Sequence, residues 1–291
     1  MERYIAVDWG STHLRAWLIE SGTCIDTLNV PCGVTQMTAG EAPELFARHI
    51  GPWRKEALLP VLMAGMIGSE AGWRLAGYLP CPVSLHRVGE QLCEVAEQVW
   101  IVPGLKWAQD GEYNVMRGEE TQLLGAMQLA PSHCYVMPGT HSKWISVEGG
   151  GQVTRFDTAM TGELHHLLMN HSLIGKGLPS QQPDETAFVQ GLERGLNMPS
   201  LVNQLFATRA AWVLGVLEKT AVSDALSGLL IGAEVAMLTR QYQPQQITLV
   251  ASEVLSPRYR QAFARLDIAV NECGAQEAFL QGIGRIIDAR R

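Results

Sequence analysis

Twice along this chain an apolar run ends in a turn that feeds back into a second strand and then a third. Tyr4–Val7 runs into Asp8-Trp9-Gly10-Ser11-Thr12, followed by the alternating stretch His13–Ile19 and by Cys24–Val30. Cys134–Met137 runs into Pro138-Gly139-Thr140, followed by Lys143–Glu148, the turn Gly149-Gly150-Gly151 and Gln152–Thr158. Period-two alternation marks half-buried strands, and clusters of Gly, Ser and Thr mark the turns between them. Two three-strand openings argue against a single doubly wound parallel sheet, in which strand and helix alternate from the start. The openings also share a little sequence: Thr12-His13-Leu14-Arg15 beside Thr140-His141-Ser142-Lys143, each followed shortly by a tryptophan, Trp17 and Trp144.

The elements after each opening also match. The first half continues with a helix at Glu41–Ala57, a strand at Leu58–Ala64, a helix at Gly89–Gln98, a strand at Val99–Pro103 and a helix at Gly118–Leu129. The second has helices at Gly162–Leu173, Ala187–Leu196, Leu201–Leu214 and Val222–Gln241, a strand at Gln246–Ala251 and a helix at Pro257–Leu266. A strand at Asp267–Asn271 and a helix at Gln276–Arg290 close it. Both halves read β-β-β-α-β-α-β-α, with extra helices in the second. The break at Ala130-Pro131-Ser132 places domains at 1–131 and 132–291, and a ligand is expected in the cleft between them.

With 291 residues, 47% of them apolar and 18% charged, the chain has material for two buried cores. Its net charge of −7 and the lack of any Lys/Arg block beyond Arg290-Arg291 argue against nucleic acid as a partner. No uninterrupted apolar run reaches the ~18 residues of a membrane span. The greasiest stretch, Gly228–Leu238, is broken by Glu234. The N-terminus enters a strand at once, without a secretory signal, and six scattered cysteines show no CxxC pair. Reduced thiols and a cytoplasmic location are expected, with no membrane partner. Nothing in the sequence specifies an oligomeric state, a homodimer included.

The Asp8–Thr12 turn suits a phosphate. Glycine lets the backbone approach, and hydroxyls and N–H groups face the anion. Asp8 stands where it would hold Mg²⁺, or it caps its own turn. Neither Gly-x-x-x-x-Gly-Lys-Ser/Thr nor a strand-borne Gly-x-Gly-x-x-Gly occurs, so those nucleotide folds lack their usual support.

Four longer motifs are more specific: Asn114-Val-Met-Arg-Gly-Glu-Glu-Thr-Gln-Leu-Leu-Gly-Ala126, Tyr135-Val-Met-Pro-Gly-Thr-His-Ser-Lys-Trp144, Met160-Thr-Gly-Glu-Leu-His-His-Leu-Leu-Met-Asn-His-Ser-Leu-Ile-Gly175 and Leu226-Ser-Gly-Leu-Leu-Ile-Gly-Ala-Glu-Val235. Together with the duplicated hairpins they resemble, over essentially the whole chain, the 2-dehydro-3-deoxygalactonokinase family. That family lies in the actin, sugar-kinase and heat-shock-chaperone superfamily. The resemblance implies an α/β fold of two ribonuclease H-like, actin-like ATPase domains, each on a mixed five-stranded sheet, with an interdomain cleft. It also implies Mg²⁺ and ATP, and phosphorylation of the 6-hydroxyl of 2-keto-3-deoxy-galactonate in galactonate breakdown. The first domain would bind sugar acid and phosphate, the second nucleotide. At the corner where superfamily members carry glycine, this chain has Ser252-Glu253.

Phosphoryl transfer needs positioning, a metal and charge neutralisation more than covalent chemistry. Within the resemblance, Asp8 organises the metal. Gly10, Ser11 and Thr12 line the phosphates from one side, and Gly139, Thr140 and His141 from the other. Lys143 or Arg15 adds positive charge, unless they face solvent from their strands. Gly228 and Gly232, four apart on a helix, give close approach to nucleotide or to a second helix. The base is Glu119, or Asp157 as the runner-up; Glu119 and Glu120 equally suit the positive end of their helix dipole. Candidate sugar-acid contacts are Gly33 and Val34, Gly65, Met66 and Ile67, with Arg117 for the carboxylate. His165, His166 and His171 near Glu163 invite a metal reading, but cleft or core histidines fit the motif better. Gly118-Glu119-Glu120 also resembles the carboxylate pair of superfamily polyphosphate phosphatases, so a phosphohydrolase is the alternative enzyme. A non-catalytic sugar-acid sensor is the alternative outside catalysis.

Overall fold

The computed structural model describes residues 3–109, 111–197 and 200–290, so the terminal Arg291 lies outside the described residues. It resolves into two compact units: the chain up to Pro131 with Val147–Phe156 and Cys273 onward, and Ser132–Ser146 with Asp157–Glu272.

In the first unit β1 (Arg3–Trp9), β2 (Leu14–Glu20) and β3 (Thr23–Val30) form a meander, followed by α1 (Ala42–His49) and β4 (Val61–Ala64). Then come β5 (Tyr78–Pro80), β6 (Val83–Ser84), β7 (Cys93–Ala96), β8 (Val99–Ile101), β9 (Gly104–Gln109), β10 (Glu112–Met116) and α2 (Glu119–Leu129). The main sheet runs β3-β2-β1-β4-β8-β7, and β10-β9-β5 form a small separate sheet. β1 is antiparallel to β2 and parallel to β4. Both central strands read as continuous apolar runs because both their faces are covered. Ile5, Val7, Val61 and Met63 pack with Leu45 and Phe46 of α1 in one core.

The second half of the chain repeats the plan with β11 (Cys134–Met137), β12 (Ser142–Glu148) and β13 (Gln152–Ala159), then α3 (Thr161–His171), α4 (Glu185–Asn197), α5 (Leu201–Val213) and α6 (Val222–Tyr242). β14 (Gln246–Ala251), α7 (Ser256–Ala264), β15 (Ala269–Gly274) and α8 (Ala275–Ala289) complete the chain. Its sheet order is β15-β14-β11-β12-β13-β6, again with the first strand between the second and the fourth.

Four expectations need correction. Each of the two main sheets has six strands, not five: β7 extends the first, and β6 pairs with the start of β13 (Val153 opposite Val83). The helix expected at Glu41–Ala57 stops at His49 and gives way to a 3-10 turn at Gly51–Arg54. Pro52 disfavours helical geometry at the residue before it. The helix expected at Gly89–Gln98 is a 3-10 run, Leu85–Gln91, followed by β7. There half-buried Cys93 and Val95 alternate with exposed Glu94 and Ala96, a strand period that outweighs helical propensity. Finally, Val147–Phe156 and the stretch from Cys273 group with the first unit rather than with the rest of 132–291. For the latter the reason is α8, which lies along α2 and sets Phe279 against Trp17 at 5.5 Å.

α6 is apolar around most of its circumference because neighbouring helices surround it. It is long and apolar enough to cross a membrane by length and composition, with 61% of its most apolar window buried. Gly228 and Gly232 belong to this packing rather than to a nucleotide contact. A Cβ on Gly228 would sit 2.0 Å from the Phe188 carbonyl oxygen, and one on Gly232 would sit 2.4 Å from that of Leu192. Both therefore seat α6 against α4. Replacing Gly228→Ala forces the helices apart and is expected to cost about 2–3 kcal/mol, as overpacked cores do. Chemical denaturation monitored by circular dichroism checks this, and an unchanged midpoint refutes the seam.

Candidate active site

In the first unit several backbone turns converge on the end of β1. Asp8 faces Arg15 across the β1–β2 ladder, and the Arg15 guanidinium pairs with its carboxylate. The β1–β2 turn is laced to the loop after β3. Gly33 N–H donates to Thr12 O at 3.0 Å, Val34 N–H to Gly10 O at 3.0 Å and Thr35 N–H to Ser11 O at 3.0 Å. A Cβ at Gly33 would lie 2.2 Å from the Ser11 carbonyl oxygen, so only glycine permits this closeness. Gly33 and Val34 thus brace the turn instead of meeting a sugar acid, and the Val34 side chain is in the core. Ser11 and Thr12 stay exposed at the tip.

Two further turns close on Asp8. Gly65 follows β4 with φ +97°, and its Cβ position is 3.3 Å from Asp8 Oδ1; Gly118, φ +108°, places its own Cβ position 3.2 Å from Gly65 Cα. Gly65 and Ile67 are buried, which leaves half-buried Met66 as the accessible part of that loop. Gly118 leads into α2, whose first two residues cap it. Glu119 Oε2 accepts the Arg117 N–H at 3.0 Å and Glu120 Oε2 accepts the Gly118 N–H at 2.7 Å. Carboxylates are favourable there because the helix N-terminus is positive.

The three carboxyls sense one another. Burial raises Asp8 above the usual carboxylate range; Arg15 pulls it back and the charge of Glu119 pushes it further up. Glu120 is 1% exposed, and burial together with the charge of Glu119 pushes it up to about 8. Arg117 does not offer a free face to a ligand carboxylate. Its Nη2 donates to Gly77 O at 2.8 Å and its guanidinium stacks 4.2 Å over Tyr78. Its Nε and Nη1 are sealed from solvent without partners.

In the second unit the Pro138–His141 turn rests on the start of α3. Glu163 N–H donates to Thr140 O at 3.0 Å, and His141 Nε2 lies 2.5 Å from the Glu163 carboxylate. Lys143 does not face solvent: it is 3% exposed and donates to His141 O at 2.9 Å. Asp157, the second candidate base, is tied to the last turn of α6, accepting from Gln241 Nε2 at 2.9 Å and the Tyr242 hydroxyl at 2.8 Å.

Beside the turn lies a cavity of about 310 Å³ bounded by Gly139, His165, Ser227, Val254, Leu255 and Arg258, among others. Arg258 is fixed by Ser227 Oγ at 2.7 Å and Asp224 Oδ1 at 2.6 Å, and lies 4.9 Å over the Phe188 ring. His165 contacts the Ser223 carbonyl oxygen at 3.0 Å, and burial lowers its pKa, which favours the neutral ring. The Ser252-Glu253 corner leads directly to Val254 and Leu255, which line this cavity. His166 meets Asn170 and His171, and among the described residues no three His, Cys, Asp or Glu side chains form a metal cluster.

The sequence profile of the 2-keto-3-deoxy-galactonokinase family matches residues 8–286. The chain belongs to that family. It is 51% identical to the 2-dehydro-3-deoxygalactonokinase of Escherichia coli (strain K12), over 99% of this chain and 98% of the relative. A crystal structure from Sinorhizobium meliloti, provisionally assigned as a 2-dehydro-3-deoxygalactonokinase, superposes with a TM-score of 0.89 at 31% identity, covering 99% of both chains. The activator of 2-hydroxyisocaproyl-CoA dehydratase from Clostridium difficile shares the fold, with a TM-score of 0.57 at 12% identity over 99% of this chain and 96% of that one.

This 2-keto-3-deoxy-galactonokinase family member is a phosphotransferase on an actin-like ATPase fold. Sequence reasoning missed the Arg258–Asp224–Ser227 set, because its members lie on two helices with no motif spacing. It also missed how Glu120 differs from its neighbour: both open α2, but only Glu120 is buried. The Glu120 carboxyl ionises near 4.5 when unfolded and near 8 when folded, so the folded chain holds an extra proton between those values. Its contribution to stability therefore falls as pH rises through that window. Glu120→Gln is expected to flatten this decline, so that the variant gains on the parent between pH 5 and pH 8.5 in urea denaturation. Parallel pH profiles would refute the assignment.

Proposed function

We propose that this chain transfers the γ-phosphoryl group of ATP to the 6-hydroxyl of 2-keto-3-deoxy-galactonate. The observation that carries the reading is the gathering of Asp8, Arg15 and Glu119 where the β1–β2 turn, Gly65 and Gly118 converge, in a chain of this family. The turn supplies the exposed Ser11 and Thr12 hydroxyls and the Gly10 backbone to phosphate oxygens, and Arg15 adds positive charge beside them. Gly139, Thr140 and His141 offer the corresponding donors of the second unit, with Lys143 beneath holding the His141 carbonyl. The nucleoside occupies the cavity of about 310 Å³ next to Gly139. The Clostridium difficile activator of like fold was solved with bound ADPNP, which supports ATP as the nucleotide.

Glu119 is the base. It opens a helix at the convergence point, and its neighbour Glu120 is too deeply buried to reach a sugar. A positioned carboxylate takes or orients the proton of the attacking hydroxyl as the bond to phosphorus forms. Met66, the accessible residue of the loop that Gly65 begins, offers backbone to the sugar acid in the first unit. The donor set suits Mg²⁺, a hard cation that takes one or two carboxylates along with phosphate oxygens and water; Asp8, with Glu119 near it, would hold it. When bound, Mg²⁺ neutralises charge on the phosphates.

Coupled ADP release with 2-keto-3-deoxy-galactonate, its gluconate epimer and gluconate tests the proposal. Turnover is expected with the galacto acid, and no turnover with any of the three overturns it. Phosphate release from ATP or polyphosphate without a sugar acid would establish the phosphohydrolase instead. Glu119→Gln is expected to lower kcat by about 10²–10⁴-fold while equilibrium ATP binding is kept, the range typical of a lost general base. Asp8→Asn should lower turnover and raise the Mg²⁺ concentration needed for half-maximal rate. Full turnover by both variants would place the chemistry elsewhere.

A further inference from the structure

Glu234 sits in the most apolar stretch of the chain, 4% exposed, in the middle of α6. A buried carboxylate is costly unless its lone pairs are engaged. Four donors engage them. Oε1 accepts the Ser142 hydroxyl at 2.6 Å and the Trp144 indole N–H at 2.8 Å; Oε2 accepts the Thr161 hydroxyl at 2.5 Å and the Tyr259 hydroxyl at 2.6 Å. The donors come from β12, α3 and α7, so one side chain of α6 joins three other elements.

Two of those elements flank the Pro138–His141 turn. Ser142 directly follows it in the chain, and Thr161 is the first residue of α3, whose Glu163 holds both Thr140 and His141. Burial and the charge of Glu234 push the Tyr259 hydroxyl well above its ordinary pKa, which keeps it a donor. An apolar side chain of similar volume would fill the space at α6 with no charge to bury. What it would lack is the direction that four hydrogen bonds impose.

We propose that Glu234 is a positioning residue for ATP: it fixes the Pro138–His141 turn and the first turn of α3 in the arrangement that receives the phosphates. This rests on the reading above in one respect, that the turn receives the phosphates of ATP. The carboxylate touches no substrate and acts only through Ser142, Trp144, Thr161 and Tyr259.

Glu234→Gln and Glu234→Leu in the full chain test it. Glutamine keeps one acceptor oxygen for Ser142 and for the Trp144 indole, which can only donate. Its amide faces Thr161 and Tyr259, whose hydroxyls must reverse, so the α3 side of the network is disturbed while the fold is kept. KM for ATP is expected to rise about ten-fold, the effect of one charge-assisted hydrogen bond, with KM for the sugar acid unchanged. Glu234→Leu should raise it further, and if that protein does not fold, the glutamine variant decides alone. Ile247→Val and Leu249→Ala, in the buried strand β14 of the same core, serve as stability controls that lower the melting temperature without changing either KM. A Glu234→Gln protein that behaves like these controls overturns the proposal. If the parent does not turn over any sugar acid, the kinase reading fails by itself. ATP binding by calorimetry then decides the proposal: a Kd weakened about ten-fold in Glu234→Gln but not in the controls supports it, and an unchanged Kd refutes it.

Discussion

The first unit depends on how closely backbone can approach the end of β1. Asp8 stands there, paired with Arg15 on one side and Ala64 on the other, and three turns meet around it: Gly10–His13, Gly65 and Gly118. Side chains would hold these segments apart, so the crowding selects residues without a Cβ at Gly33, Gly65 and Gly118. The result sets the exposed Ser11 and Thr12 hydroxyls and the Asp8 and Glu119 carboxyls on strand and helix ends rather than on a long loop. Sites built this way keep their geometry because the scaffold fixes each contributing atom.

The second unit repeats the strand order but stabilises its turn differently. In the first unit the turn is laced to the loop after β3 by backbone hydrogen bonds. In the second, the corresponding turn leans on the start of α3, and the buried carboxylate of Glu234 ties α3 to β12 and α7. One topology thus carries two solutions to the same problem, one made of main chain and one of side chains. The second is more sensitive to a single substitution, since four of its bonds end on one residue.

Much of this was legible in the sequence. Both meanders, the turn after each first strand and the helices of the second half follow from hydrophobic period and turn residues alone. What failed did so for identifiable reasons. Cys93–Ala96 is too short for its period to stand out against helix-forming neighbours, and β5, β9 and β10 form a small sheet whose exposed Tyr113 and Val115 mask any apolar face. Gly228 and Gly232 have the same spacing whether they meet a nucleotide or α4; only the Phe188 and Leu192 carbonyls decide. Arg117 looked like a carboxylate partner because sequence shows a cation beside the Gly118 turn, not the Tyr78 ring that covers it. Glu234 was visible as an interruption in an apolar run, and such a break is the one sequence signal that a buried polar network exists.

The carboxyls of the first unit show why adjacent residues of like type take separate roles. Asp8, Glu119 and Glu120 lie close enough to influence one another, with the Arg15 guanidinium paired to Asp8. Ionising all three would concentrate repulsion in a poorly solvated place, where it is strongest. Burial settles the matter by keeping a proton on Glu120 up to about pH 8. Near neutrality Glu119 then has a neutral neighbour rather than a second negative charge beside it. Glu120 therefore contributes by staying neutral and capping α2. That division follows from a difference in depth between two consecutive glutamates at a helix start, where one is buried and the other half-buried.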